Sequence, residues 1–142
     1  MYFFVNTVVY RGMNIDYQLL MDRAKEASKT SYSPFSRFAV GAAVLASSGK
    51  IYEGCNVENS SFGLTICAER CAIFKAVSEG EREIRAVAIY SPNADSCYPC
   101  GACRQVMYEF QGDDEEISVV TENLGNLDVN KLSYFLPCGF RI

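Results

Sequence analysis

The stretch from residue 38 to residue 57, FAVGAAVLASSGKIYEGCNV, decides the fold class of this chain. Two apolar runs, 38–46 and 51–57, flank the short segment 47–50, which is rich in serine and contains a glycine. Such a pattern predicts two antiparallel strands joined by a hairpin turn. We therefore expect a β-sheet to begin here.

Helical and strand-like patterns alternate on either side of this hairpin. Helices are expected at 13–31, 67–79, 100–111 and 127–136, and further strands at 84–90 and 117–121. The strand at 84–90 is apolar enough to be buried on both faces of a sheet. This alternation predicts one α/β domain with a mixed sheet that is covered on both sides.

The helical patterns also predict caps and buried faces. Asn14 is the expected N-cap of the first helix. The expected apolar face of that helix consists of Ile15, Leu19, Leu20, Ala24 and Ala27. The expected apolar face of the helix at 67–79 consists of Cys67, Cys71, Phe74 and Val77.

The chain length of 142 residues suits one domain, which we place at 13–142. Residues 1–12 fit none of the patterns that follow them and are expected to be an N-terminal extension. This segment is either an added edge strand or an extension upstream of a true start at Met13.

Composition excludes several classes of function. With 49% hydrophobic and 21% charged residues, the chain is globular rather than disordered. A net charge of -4 provides no basic field for a nucleic acid polymer. The chain has no apolar run long enough for a membrane span and no signal peptide pattern at its N-terminus. We therefore expect a cytoplasmic protein with reduced thiols.

The chain has 7 Cys and no His, which restricts the chemistry available to it. Triads and nucleophiles that depend on imidazole are excluded. Cys67 begins one predicted helix, and Cys100 and Cys103 begin another, so the three sulfurs could occupy three corners of a tetrahedron. Three protein ligands leave one corner for water, which is typical of a catalytic zinc site. Glu69, two residues after Cys67, could accept the proton of a water molecule at the metal.

Cys97 leaves two other kinds of metal site open. Together with Cys100 and Cys103 it forms C-x-x-C-x-x-C, the beginning of one iron–sulfur pattern, but Met107 stands where that pattern needs another cysteine. Cys97 could instead close the zinc site as a fourth sulfur, which would make the site structural. Glu69 favours the catalytic interpretation.

Several motifs in this order resemble the small homotetrameric cytidine deaminases, over about residues 13–140. The zinc deaminases carry H-x-E or C-x-E followed by P-C-x-x-C. The matching segments are 32–42 (YSPFSRFAVGA), 54–59 (GCNVEN), 67–70 (CAER), 74–80 (FKAVSEG) and 99–105 (PCGACRQ). The resemblance implies a three-layer α/β/α sandwich with a mixed five-stranded sheet, assembled as a homotetramer. It also implies the conversion of cytidine and 2′-deoxycytidine to uridine and 2′-deoxyuridine in pyrimidine salvage.

The same resemblance implies roles for individual residues. One zinc ion per chain would be bound by Cys67, Cys100 and Cys103, with Glu69 as the proton shuttle. Substrate contacts would come from Phe35 beside the nucleoside, Asn56 and Glu58 at the ribose hydroxyls, the Ala68 amide at the pyrimidine carbonyl, and Phe140 from a neighbouring subunit.

Three further residues qualify this expectation. Phe62 stands where the family usually has Tyr, so the resemblance does not extend to a hydroxyl contact to the sugar at this position. Three thiolates give the metal site a negative charge, which Arg70 and Arg104 are placed to offset, and Arg70 is expected to donate a hydrogen bond to a ligand sulfur.

Two related activities remain as alternatives. Deamination of another small aminopyrimidine such as blasticidin S is disfavoured by the segment Asn56–Asn59 (NVEN), which the resemblance assigns to the ribose. Polynucleotide deamination is disfavoured by the acidic charge balance.

Overall fold

The computed structural model describes residues 7–10 and 13–142. Within those residues, no helix is both long enough and apolar enough to cross a membrane. The elements in chain order are β1 (Thr7–Tyr10), β2 (Met13–Asp16), α1 (Tyr17–Ser28), β3 (Gly41–Ala46), β4 (Ile51–Cys55), α2 (Ala68–Ser78), β5 (Ile84–Tyr90), α3 (Gly101–Glu109), β6 (Ser118–Asn123), β7 (Asn126–Lys131) and α4 (Leu132–Phe135).

Five strands form the main sheet in the order β4-β3-β5-β6-β7. The predicted hairpin is confirmed, because β3 and β4 pair antiparallel from Gly41 opposite Cys55 to Leu45 opposite Ile51. Strands β5 and β6 pair in parallel, whereas β3 with β5 and β6 with β7 pair antiparallel. The sheet is therefore mixed and five-stranded, as expected.

Helices cover both faces of this sheet. Along β3, Ala42 and Val44 pack into the cluster that contains α2 and α3, while Ala43 and Leu45 pack into the cluster that contains α1. The whole of β3 is buried, since successive strand residues point to opposite faces. This arrangement confirms the three-layer α/β/α architecture.

The prediction for the first helix was wrong at its start. Residues 13–16 form β2, which pairs with β1 in a separate two-stranded sheet, so β1 does not extend the main sheet. Asp16, not Asn14, is the N-cap, because its carboxylate accepts a hydrogen bond from the Leu19 amide at 2.9 Å. Residues 1–6 and 11–12 of the expected extension lie outside the described residues.

The buried face of α1 also differs from the expected one. Leu19 is 46% exposed, and the buried positions are Tyr17, Leu20, Met21, Ala24, Ala27 and Ser28. Ile15 is buried, but from strand β2 rather than from the helix. The expected face aligned Leu19 with Ile15, but Ile15 precedes the helix, which starts at residue 17, so this alignment does not exist.

The predicted helix at 127–136 is mostly a strand. Residues Asn126–Lys131 form β7, and only Leu132–Phe135 are helical. Leu124 and Gly125 both have positive φ, at 48° and 82°, and connect Asn123 to Asn126 across the hairpin. Such a two-residue turn matches the twist of an antiparallel pair, so the chain returns along β6 instead of coiling.

Helix α2 begins at Ala68 and buries a different face from the one expected. Phe74 is 45% exposed, whereas Ala68, Glu69, Ala72, Ile73 and Ala76 are buried. The small alanines allow the helix to lie close to the sheet. Because this face of α2 is the buried one, the Glu69 carboxyl group lies in the interior.

Candidate active site

Three cysteine sulfurs meet between the starts of two helices. Cys67 is the N-cap of α2 and Cys100 is the N-cap of α3, and neither sulfur makes a capping hydrogen bond. Cys103 lies one turn into α3 and is fully buried. The ligand atoms of the three cysteines all lie within 4.8 Å of one another, and the Cys67 and Cys100 sulfurs are 3.7 Å apart.

This geometry fits a tetrahedral zinc ion. Two thiolates bound at about 2.3 Å with tetrahedral angles lie about 3.8 Å apart, close to the separation of Cys67 and Cys100. Thiolates are also the soft ligands that zinc accepts. The three sulfurs would hold zinc and leave its fourth position to the adjoining cavity.

Arg70 lies beside this group of sulfurs. Its Nη2 donates a hydrogen bond to the Cys67 sulfur at 3.4 Å. Hydrogen bonds from Cys103 and from Arg70 lower the pKa of the Cys67 thiol to about 5. The surroundings of Cys67 therefore favour the thiolate, which is the form that binds metal.

Cys97 is not part of this group among the described residues. It is half-buried, and burial raises the pKa of its thiol to about 12. All seven cysteines fall within the described part of the chain, and all are free thiols. The cysteine that joins Cys100 and Cys103 is therefore Cys67 and not Cys97, which the iron–sulfur pattern would require.

Glu69 brings a carboxyl group to the same place. It is only 3% exposed, and burial raises its pKa to about 7, with the negative charge of Cys67 acting in the same direction. A carboxyl group with a pKa near neutrality can both accept and release a proton. This property suits a proton shuttle.

A cavity of about 450 Å³ connects the sulfurs to the expected substrate residues. It is lined by Ser36, Phe38, Val40, Asn56, Glu58, Thr65, Cys67, Ala68, Glu69, Cys97, Tyr98 and Cys100. Six of the ten residues expected in the site line this one cavity. Its volume is in the range of small-molecule sites.

Glu58 is buried and accepts hydrogen bonds from the loop that precedes β3. The Phe35 and Ser36 amides donate to its carboxylate at 2.9 and 3.1 Å, and the Ser36 hydroxyl donates as well. The Ser36 hydroxyl and these two amides hold the pKa of Glu58 below its ordinary value. Glu58 is therefore an ionised group at the cavity wall.

Asn56 anchors the same loop. Its Nδ2 donates to the Phe38 carbonyl oxygen at 2.8 Å, and its Oδ1 accepts from the Val40 amide at 2.9 Å and from the Ser31 hydroxyl. Asn56 and Glu58, which directly follow β4, thus position the loop that forms one wall of the cavity.

Phe35 and Phe140 lie outside the lining of this cavity. Phe35 packs edge-on against Phe62, with ring centres 5.8 Å apart. Both rings line a second cavity of about 410 Å³, which shares Ser36, Glu58 and Thr65 with the first. Phe140 is 71% exposed in the C-terminal tail, where its carbonyl oxygen accepts a hydrogen bond from Gln105.

The sequence reasoning missed Ser36 and Tyr98. Ser36 donates to Glu58, and Tyr98 lines the cavity. Both lie within or beside the quoted motifs, as neighbours of Phe35 and Pro99. Only their position next to those motifs could have drawn attention to them.

Comparisons with known proteins agree with this site. Residues 14–121 match the family described as the cytidine and deoxycytidylate deaminase zinc-binding region. A cytidine deaminase of Sporosarcina psychrophila is 43% identical over 126 residues, which cover 89% of this chain and 92% of that protein. A cytidine deaminase of Halalkalibacterium halodurans is 46% identical over 117 residues, covering 74% of this chain and 89% of that protein.

Solved structures show the same similarity. The crystal structure of cytidine deaminase from Burkholderia pseudomallei matches with a TM-score of 0.81 and 40% identity, covering 89% of this chain and 100% of that chain. These findings confirm the expected fold, the zinc cofactor and the deaminase activity. The chain belongs to the cytidine and deoxycytidylate deaminase zinc-binding family.

Proposed function

We propose that this protein hydrolyses cytidine and 2′-deoxycytidine to uridine and 2′-deoxyuridine, with release of ammonia. The observation that carries this proposal is the burial of Glu69 in the cavity that Cys67 and Cys100 also line. Hydrolytic deamination requires an acid–base group next to a metal site, and both are present here.

Zinc would supply a Lewis acid that makes water acidic enough to be a nucleophile at neutral pH. Cys67, Cys100 and Cys103 hold that ion, and Arg70 offsets part of their charge. Glu69 accepts the proton of the attacking water and delivers it to the pyrimidine ring nitrogen. The water oxygen bonds to C4 as a hydroxyl group. Glu69 then takes the proton of that hydroxyl and passes it to the amine, so the C4–N bond breaks, ammonia leaves and the C4 carbonyl forms. One carboxyl group thus serves both proton transfers.

The nucleoside itself would be bound by other residues. Asn56 and Glu58 bind the ribose hydroxyls, the Ala68 amide binds the pyrimidine carbonyl, and Phe35 packs against the nucleoside. The buried, hydrogen-bonded carboxylate of Glu58 supports this assignment, since an ionised acceptor suits a hydroxyl donor.

The cavity favours a nucleoside over a nucleotide. None of the described residues that line it is Lys or Arg, and Glu58 is held in its ionised form. A phosphate on the sugar would meet a negative charge without a cation to balance it. We therefore favour cytidine over deoxycytidylate as the substrate.

We assign the catalytic domain to residues 13–142, with residues 1–12 as an extension, and place the enzyme in cytoplasmic pyrimidine salvage. We further propose a homotetramer in which Phe140 reaches the site of a neighbouring subunit. The exposure of this large apolar ring supports that assignment, because a neighbouring chain would cover it.

Purified protein tests the activity directly. Cytidine absorbance should fall on addition of the protein, and metal analysis should find about one zinc per chain. Glu69→Gln is the matched control, which should retain zinc while turnover falls by about 100-fold or more, since a single general acid–base group contributes about 10²–10⁴-fold. Zinc without turnover in the parent, or turnover at the parental rate in Glu69→Gln, would contradict the proposal.

A further inference from the structure

Arg104 connects two elements that are distant in sequence. Its Nε donates a hydrogen bond to the Pro99 carbonyl oxygen at 2.7 Å, and its Nη1 donates to the Phe135 carbonyl oxygen at 2.8 Å. The guanidinium carbon also lies 5.6 Å from the centre of the Phe135 ring. One side chain thus joins the loop before α3 to the end of α4.

The first of these bonds stabilises the turn that carries two metal ligands. Cys100 is the N-cap of α3 but provides no side-chain cap, because its sulfur faces the metal site. The Arg104 amide donates to the Cys100 carbonyl oxygen at 3.0 Å, and the Arg104 side chain binds the preceding carbonyl, that of Pro99. Arg104 therefore restrains the backbone on both sides of Cys100.

The second bond links this turn to a wall of the cavity. Phe135 is 8% exposed, and the Tyr98 ring packs on it with centres 5.9 Å apart. Tyr98 itself lines the cavity. Arg104, Phe135 and Tyr98 consequently hold the loop before Cys100 against α4.

Arg104 and Arg70 differ in the acceptors of their hydrogen bonds. The described hydrogen bonds of the Arg104 side chain go to carbonyl oxygens, whereas Arg70 donates to the Cys67 sulfur. A planar guanidinium can reach two acceptors in different directions, which a single ammonium group does less well.

We infer that Arg104 is a positioning residue, which keeps Cys100 and Cys103 in the arrangement that binds zinc by tying their turn to α4. This inference rests on the proposed function, since it assumes that these cysteines hold zinc. Residues that orient metal ligands typically change metal affinity by about 10–100-fold when they are replaced.

The test measures zinc release from the full-length, zinc-loaded protein to a chromogenic chelator. Arg104→Gln removes the bridge, and Arg104→Lys retains the positive charge without the planar fork. Arg141→Gln is the matched control, because Arg141 also donates to a backbone carbonyl, that of Gln111, and lies over a ring of α3, that of Tyr108. Thermal midpoints of the metal-free proteins are measured in parallel.

Arg104→Gln should release zinc about 10-fold or more faster than the parent, and Arg104→Lys should also release it faster. Arg141→Gln should keep the parental rate, and the metal-free midpoints of Arg104→Gln and Arg141→Gln should shift by similar amounts. Parental zinc release in both Arg104 variants, or equal acceleration in Arg141→Gln, would overturn the inference. If Arg104→Gln does not fold, the rate of Arg104→Lys decides.

The same experiment separates this inference from the proposed function. A zinc-loaded parent that does not deaminate cytidine contradicts the proposed function, while the ratio of release rates still tests Arg104. A parent that deaminates cytidine, with no faster release from the Arg104 variants, overturns only the role of Arg104.

Discussion

Gly54 of β4 lies directly against the Ala68 carbonyl at the first turn of α2. A Cβ atom at Gly54 would be 2.6 Å from the Ala68 carbonyl oxygen and 2.6 Å from the Ala72 amide nitrogen. Real Cβ atoms do not approach backbone this closely, so any side chain would push the helix away from the sheet. Because the same turn carries Glu69, this contact sets the depth of the carboxyl group in the cavity.

Gly54→Ala should therefore reduce both stability and turnover. We expect the free energy of unfolding to fall by about 1–3 kcal/mol from overpacking. A displacement of about 1 Å at the catalytic group can cost about 100-fold in rate. Urea unfolding and cytidine absorbance measure the two effects. Gly63→Ala is the control, because a Cβ there would meet no atom of the described residues within 4 Å. Equal behaviour of the two variants would refute the close contact.

Arg70→Gln should weaken zinc binding. It removes the hydrogen bond from Arg70 Nη2 to the Cys67 sulfur, so we expect zinc affinity to fall by about 10–100-fold. Competition with a chelator measures this affinity. Arg82→Gln, beyond the C-terminal end of α2, removes a guanidinium that donates to the Val77 and Glu81 carbonyl oxygens instead and should have no effect. An unchanged zinc content and unchanged kinetics of Arg70→Gln would rule out the role of Arg70.

Glu58→Gln should change how stability depends on pH. The folded-state pKa of Glu58 lies below its ordinary value of 4.5, mainly because the Ser36 hydroxyl donates to the carboxylate. A lowered pKa means that the ionised group contributes stability above its unfolded pKa and loses it as pH falls through the folded value. The parent should therefore be more stable than Glu58→Gln near neutral pH, with a difference that shrinks below pH 4.5.

Urea unfolding of the metal-free proteins, at several values of pH, checks this difference without a contribution from zinc loss. Glu116→Gln serves as the control, because it removes a carboxylate that accepts from the Ser133 amide and does not line the cavity. A difference between parent and Glu58→Gln that stays constant on acidification would show that the Glu58 charge does not stabilise the loop.

Phe140→Ala should raise the KM for cytidine without unfolding the chain. The ring is 71% exposed within one chain, so its removal costs little internal packing. Loss of its burial against a neighbouring subunit should weaken substrate binding by about 10-fold. Steady-state kinetics and sedimentation velocity measure the KM and the expected tetramer. Ile142→Ala is the control. A fully active monomer, or a parental KM for Phe140→Ala, would contradict the proposal that Phe140 reaches the site of a neighbouring subunit.

The sequence alone predicted the architecture and a group of three candidate metal ligands. Its alternation of apolar runs predicted the hairpin β3–β4, the buried strand β5 and the mixed sheet, because hydrophobic periodicity is a local property of the chain. Cys67, Cys100 and Cys103 could likewise be identified from their spacing at helix starts. Their meeting within 4.8 Å confirms that grouping.

Tertiary structure decided the features that depend on partners far away in the sequence. Residues 126–131 form β7 because their backbone groups pair with those of β6. Helix α2 buries its alanine face rather than the expected face because Gly54 lets Ala68 and Ala72 lie close to the sheet. The bridge from Arg104 to Phe135 spans 31 residues. Local patterns do not encode such contacts, since hydrogen bonds and close packing between distant segments exist only after the chain has folded.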